Sequence, residues 1–348
     1  MNRFLLVSLT IKAILAETTI HLRKERLKQM SKGQDVGEVY TSTFERIKAQ
    51  EKARSRLGME AIMWVAYSER PLQPDELCQA LGVVVGSKDL NKDNTPTIRT
   101  ITNCGLGLVT VDSSSSTVRP VHFTLQKYIL ANPTLFQSPH SAIAEVCLTY
   151  LNFACIRDIS PAVSSPPPTT PFLEYASHHW GEHARKKTSK NAIPLALKLL
   201  DRFDENISCK LLLLKFPWWE RPLDTEGNPI GFTGLHGGAL FGTVEIMVSL
   251  LQIKKWDLNA TDLSGRTALA WAVRGGHDVA VKMLLEQEGV SPDIADNRGQ
   301  TPFSCASKDG RDGIAKMLLE TNKVNPAAAD KVGLTPLSLA AAQGARKL

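Results

Sequence analysis

"SGRTALAWAVRGGHDVAVKMLLE", Ser264–Glu286, holds a helix-start signal, an apolar run, a glycine break and a second apolar run. Thr267 stands where a hydroxyl caps a helix N-terminus. An apolar run follows to Arg274, Gly275 and Gly276 break it, and "VAVKMLL" opens a second short helix. Neither helix is long enough to be stable alone, so the stretch needs neighbours of its own kind to pack against.

Those neighbours are in the sequence. Aligning on Thr267 finds Thr233 in "FTGLHGGALFG", Thr301 in "QTPFSCASKDG" and Thr335 in "LTPLSLAAAQG", each step being 34 residues. Nine positions after each threonine stands a glycine: Gly242, Gly276, Gly310 and Gly344, each expected to end the first helix of its unit. Five positions after each threonine comes a small residue (Gly238, Ala272, Ala306, Ala340) that lets adjacent helices approach closely. Leucine pairs recur at Leu250–Leu251, Leu284–Leu285 and Leu318–Leu319. Pro302 and Pro336 fall at the first helical position, where a missing N–H costs nothing. Asp262, Asp296 and Asp330 precede Gly265, Gly299 and Gly333, which marks a turn between units.

Over residues 230–348 this pattern resembles the ankyrin repeat, whose core reads T-P-L-H-x-A. Gly234 and Ala268 depart from it by replacing the proline, and the unit is one residue longer than the usual length of about 33. The last unit stops at Leu348, before its second helix, so the array is expected to be cut short there. The resemblance implies protein–protein recognition through turn tips and the outward positions of the first helices. Repeat arithmetic assigns those positions to Ser264, Arg266, Trp271, Arg274, Arg298, Gln300, Cys305, Lys308, Lys331 and Leu339. Tryptophan and arginine are favoured interface anchors, and Trp271 fits a packing residue equally well.

Upstream the pattern changes. "YTSTFERIKAQEKARSRLGMEAIMWVAYSERPLQPDELCQAL" reads as three helical stretches breaking near Leu57–Gly58 and at "RPLQPDEL", where Pro74 starts a helix. "TPTIRTITNCG" is a fourth helix, ended by Gly105. "LGLVTV" and "TVRPVHFTL" flank "DSSSS" as a short β-hairpin. Helices followed by a hairpin wing predict a winged helix over residues 40–132. "YTSTFERIKAQ", "MWVAYSERPLQPDEL", "CGLGLVTVD" and "VHFTLQKYIL" resemble the winged-helix segment that follows the NACHT ATPase in fungal signal-transducing (STAND-type) NTPases. Residues 1–39 resemble the last helices of that ATPase module. "FLEYASHHWGEHA", within residues 133–229, resembles the helical connector that precedes ankyrin arrays in the same proteins. "SPAVSSPPPTTP" (160–171) reads as an extended, mobile loop, and 192–216 as helical core material.

The expected fold is therefore mainly α: a winged-helix domain with a short hairpin, a helical connector and an α-solenoid of about four repeats. The resemblance implies the regulatory, sensing half of a NACHT-type, innate-immunity-like cytoplasmic protein. A stand-alone scaffold or adaptor is the alternative, and a DNA-binding winged helix is a weaker one.

The chain is not expected to be an enzyme or to carry a cofactor. The phosphate-cradling GxxxxGK[ST] is absent from its sequence, as is the G-x-S-x-G elbow a lipid-anchor deacylase would need. His122 is the one nucleotide-site candidate. The resemblance implies a phosphate contact in a parent protein that carries the ATPase, against the plainer reading of a packed histidine at a strand–helix junction. His179 and His183, with Glu182 and His178 nearby, have a metal-pair spacing but no third spaced ligand, so connector packing around Trp180 is expected.

A net charge of +6, with both signs mixed along the chain, gives no electrostatic case for nucleic acid, and the fourth helix carries a single basic residue, Arg99. No membrane span is expected. "MNRFLLVSLTIKAILAET" has the outline of a secretory signal, but Lys12 interrupts its apolar core and favours an amphipathic helix. Six cysteines without a CxxC pair predict reduced, mostly buried thiols.

Overall fold

The computed structural model describes residues 19–21, 23–24, 36–163, 165–253 and 256–346. The expectations for the first 16 residues, and most of the helical segment expected over 1–39, lie outside the described residues. The chain divides into two compact units, one closing at Val84 and taking in Leu90–Pro139, the other formed by Val85–Asp89 and His140 onward.

The first unit is a winged helix. Its helices are α1 (Val36–Lys48), α2 (Lys52–Tyr67), α3 (Pro74–Gly82), α4 (Ile98–Cys104) and α5 (Phe123–Ala131). The wing is β1 (Val109–Asp112) paired antiparallel with β2 (Thr117–Pro120), with Val109 opposite Pro120 and Asp112 opposite Thr117. Leu72 adds a single bridge to Val118 on the outer side. Phe44, Ile62, Trp64, Leu77, Ile101 and Leu125 form the core. Pro74 opens α3 as the sequence expects, and Glu76 fixes that start by accepting from the Gln73 amide at 2.7 Å and from both terminal nitrogens of Arg70 at 2.8 and 2.6 Å. In the wing turn, donors from Ser114 and Ser115 converge on the Asp112 carboxylate and hold its pKa down at about 2.

One expected boundary is wrong. The chain does not break at Leu57–Gly58, because α2 runs through both residues and the α1–α2 break falls earlier, at Ala49–Glu51. A Cβ on Gly58 would stand 2.6 Å from the Cys104 carbonyl oxygen. The glycine serves the close approach of α2 to the end of α4, and it does not terminate a helix.

The second unit begins with α6 (Pro139–Leu151), the single turn α7 (Ala154–Arg157), α8 (Leu173–Lys186), α9 (Ala192–Leu200) and α10 (Ile207–Leu214). The loop expected to be mobile is fastened at its start, where buried Lys210 donates its ammonium to the carbonyls of Pro161 at 2.6 Å and Val163 at 2.9 Å. Trp180 is fully buried against Phe241, with ring centroids 4.9 Å apart.

The repeats follow as helix pairs: α11 (Gly234–Phe241) with α12 (Val244–Ile253), α13 (Ala268–Gly275) with α14 (Asp278–Leu285), α15 (Pro302–Lys308) with α16 (Asp312–Glu320), and finally α17 (Pro336–Arg346). The capping threonines behave as read: the hydroxyls of Thr267, Thr301 and Thr335 accept from the amides three residues on at 3.2, 3.2 and 3.3 Å. Gly242, Gly276 and Gly310 are left-handed at φ 67°, 70° and 65° and close their helices. Gly344 does not, since α17 runs on to Arg346.

Gly234, the departure from the ankyrin proline, has a physical cause. A Cβ there would lie 2.1 Å from the carbonyl oxygen of Leu200, so the first repeat meets the connector through bare backbone. We expect Gly234→Ala to destabilise the fold by about 3 kcal/mol through overpacking. Thermal unfolding followed by circular dichroism measures this, and an unchanged midpoint would refute the contact.

Candidate protein-interaction surface of the repeats

The turn between units is built on a buried carboxylate. In each turn one oxygen of the aspartate accepts two backbone amides. Asp262 takes those of Ser264 and Arg266 at 2.8 and 3.0 Å, Asp296 those of Arg298 and Gln300 at 2.9 and 3.0 Å, and Asp330 those of Val332 and Leu334 at 3.0 and 2.9 Å. Gly265, Gly299 and Gly333, at φ 76°, 78° and 83°, supply the left-handed step these turns need. Consecutive turns are tied in series: the Asn297 amide donates to the Ser264 carbonyl at 2.8 Å, and the Lys331 amide to that of Arg298 at 2.9 Å. The turn tips thus form a ladder one rung per repeat.

The second oxygen of each of the first two aspartates holds a large side chain. Asp262 accepts from the Trp271 indole at 2.7 Å, and Asp296 pairs with Arg266 at 3.3 Å. These bonds draw Trp271 and Arg266 inward. Trp271 has no exposed surface, and it packs against the rings of Phe216 and Phe232 at 5.2 and 5.4 Å. Arg266 is 6 % exposed, lies 5.3 Å from the Trp271 ring and donates to the Glu220 carbonyl at 3.2 Å.

Residues 206–330 match ankyrin repeats. The match is to a family described as ankyrin repeats in three copies, over residues 206–296 and again over 235–330. Residues 44–143 match the winged helix domain of GPI inositol-deacylase. No curated protein matches the chain.

Of the ten positions expected at the ankyrin surface, the structure exposes Lys308 and Lys331 and leaves Ser264, Arg274, Arg298, Gln300 and Cys305 half-buried. Three do not stand free. Arg266 and Trp271 are buried for the reasons just given, and Leu339 is 8 % exposed because α17 packs on α15. Burial pushes the Cys305 thiol up to about 11, so it stays protonated and poorly nucleophilic near neutral pH. Arg274 forms an ion pair with Glu220 and lies 5.2 Å from the Phe216 ring. Phe216 and Glu220 were missed by the repeat reading. They lie upstream of the first threonine, in "KFPWWERP", where no periodicity marks them.

His122 caps α5: its Nδ1 accepts from the Thr124 amide at 3.3 Å, while its Nε2 is buried with no hydrogen-bond partner. The imidazoles of "HHWGEH" face apart rather than toward a common ion. His179 Nδ1 meets Glu182 at 2.7 Å and His178 Nε2 meets the Leu211 carbonyl at 2.9 Å. His183 lies between Tyr175 at 3.0 Å and His140 at 2.9 Å. Cys78, Cys104, Cys147 and Cys209 are buried, and Cys155 is exposed. No helix among the described residues is long and apolar enough to cross a membrane.

The burial has a consequence for mutagenesis. Trp271→Ala is expected to cost about 4 kcal/mol of stability, as for other large aromatic truncations in cores, whereas Lys308→Ala should stay within about 0.5 kcal/mol of the parent chain. Urea unfolding of the two variants separates them, and equal midpoints would contradict the buried placement of the indole.

Proposed function

We propose that the chain is a recognition module: its repeats hold a protein partner, and the chain performs no catalysis of its own. The observation that carries this is the ladder of hydrogen-bonded, in-phase turns with Arg298, Gln300, Lys308 and Lys331 beside it, a row of polar and cationic side chains on successive units. Such a row selects partners by charge and shape. The two exposed cations, Lys308 and Lys331, favour a partner segment rich in carboxylates.

The finer reading is that this module is the regulatory, sensing half of a fungal NACHT-type (STAND) signalling protein of the cytoplasm. It is supported by the order winged helix, connector, repeats, and by the match of residues 44–143 to a winged helix domain. His122 then serves the parent protein's nucleotide phosphate, for which its unpartnered Nε2 is a free polar group. The stand-alone adaptor shares the repeat surface and differs in having no ATPase partner.

The test is affinity capture from extracts of the source cells with the full chain, beside a Lys308→Glu/Lys331→Glu variant of equal thermal stability. Proteins retained by the parent and lost by the variant support recognition through this row. An identical set on both refutes it. ATP hydrolysis by the purified chain well above background would refute the non-catalytic reading.

A further inference from the structure

The surface that repeat arithmetic assigns to a partner is already occupied at Trp271 and Arg274. The occupant is the chain's own segment Lys215–Pro222, "KFPWWERP". Phe216 lays its ring against Trp271, with centroids 5.2 Å apart. The Arg274 guanidinium sits 5.2 Å from the Phe216 ring and 5.8 Å from the Trp271 ring, and ion-pairs with the Glu220 carboxylate. The Glu220 carbonyl takes a hydrogen bond from Arg266 at 3.2 Å. Arg221 folds back to the carbonyls of Phe216 at 2.7 Å and Leu214 at 3.0 Å and closes the segment into a strap.

The contacts of this strap are those of a ligand. Two side chains four positions apart, an aromatic ring and a carboxylate, meet an aromatic–arginine platform. Between them the strap turns outward, leaving Trp218 76 % exposed. The strap is held by one partly exposed ion pair, one cation–π contact, one ring–ring contact and one hydrogen bond to the Glu220 carbonyl, each modest, on the order of 1 kcal/mol. Such a strap can be exchanged for another segment offering the same groups.

We propose that Phe216 and Glu220 occupy in cis a subsite for a protein segment that carries an aromatic residue followed by a carboxylate, and that such a segment displaces the strap on binding. The proposal rests on the reading that the repeats recognise a protein. It adds the chemistry of the recognised segment, and a built-in competitor that lowers affinity for weak partners. Lys308, at the position of Arg274 one repeat on, extends the same subsite toward further carboxylates.

The probe is a fluorescein-labelled peptide of residues 213–222, titrated by anisotropy against the full chain. A Phe216→Ser/Glu220→Ala variant, with a Glu220→Gln variant in case the first folds poorly, should bind the peptide about tenfold more tightly than the parent, equivalent to about 1.4 kcal/mol of lost competition. Adding Arg274→Glu to either should abolish that gain. Equal affinities for parent and variants, or a gain that survives Arg274→Glu, would overturn the proposal. Partner capture that still depends on Lys308 and Lys331 in that event leaves the recognition role standing and makes the strap purely structural.

Discussion

Asp262→Ala should be among the most damaging single substitutions in the repeats, at about 4 kcal/mol. One carboxylate oxygen accepts the Ser264 and Arg266 amides at 2.8 and 3.0 Å, and the other accepts the Trp271 indole at 2.7 Å. Removing the carboxylate orphans three donors, of which the Arg266 amide and the Trp271 indole are buried and the Ser264 amide is part-buried, and each buried unsatisfied group costs about 1–3 kcal/mol. Trp271 also loses the bond that draws it under Phe216. Asp262→Asn keeps one acceptor and should lose roughly half as much. Urea unfolding by circular dichroism reads both. An alanine variant within about 1 kcal/mol of the parent would mean the turn stands without its carboxylate.

Acid should weaken the second unit through its buried histidines. Burial foremost, then the nearby charge of His140, Lys186 and His179, brings His183 down to about 3 despite Glu182. His236 is lowered, again by burial first, against the opposing pull of Asp262 and the Arg266 carbonyl. The Thr233 amide donates to its Nδ1 at 3.2 Å, which leaves Nε2–H to donate to the Arg266 carbonyl at 3.1 Å in a neutral ring. Burial lowers His277 as well, with the Leu240 carbonyl opposing.

A depressed folded-state pKa fixes the sign. The unfolded chain takes up protons below about pH 6.5 while the folded chain does not, so this contribution is whole above that pH and is lost as pH falls, toward pH 3 for His183. For His183 this removes up to about 1.4 kcal/mol per pH unit of acidification between those limits. Unfolding free energy measured from pH 7 to pH 4 should therefore fall steadily, and His183→Gln, though less stable at pH 7, should fall less steeply. Parallel curves for parent and variant would show that His183 is not held neutral.

Much of the repeat array was legible in the sequence because its physics recurs. A capping threonine, a left-handed glycine and a turn aspartate every 34 residues leave little freedom. The winged helix was legible from Pro74, the Gly105 stop and the serine-rich hairpin turn. What was missed depends on single long-range contacts. Gly58 reads as a break until the Cys104 carbonyl is seen beside it, and Gly234 reads as a lost proline until Leu200 is. Trp271 falls on an outward position of an ankyrin helix and Arg266 on a turn tip, and repeat phase alone puts both in solvent. Their burial comes from two turn carboxylates and a strap with no repeat signature. At this unit, the surface inferred from periodicity is therefore an internal interface. Lys308 and Lys331, where no such strap lies, keep the exposure that periodicity gives them.

Recognition of a protein by the open row of the repeats is a binding property. Its most direct test is calorimetric titration of a partner retained by the full chain against the parent and against Lys308→Glu/Lys331→Glu, with matched unfolding midpoints. Charge reversal should lower the affinity about tenfold or more, and a further loss as salt rises is expected for the parent alone. Equal affinity for both chains would contradict it.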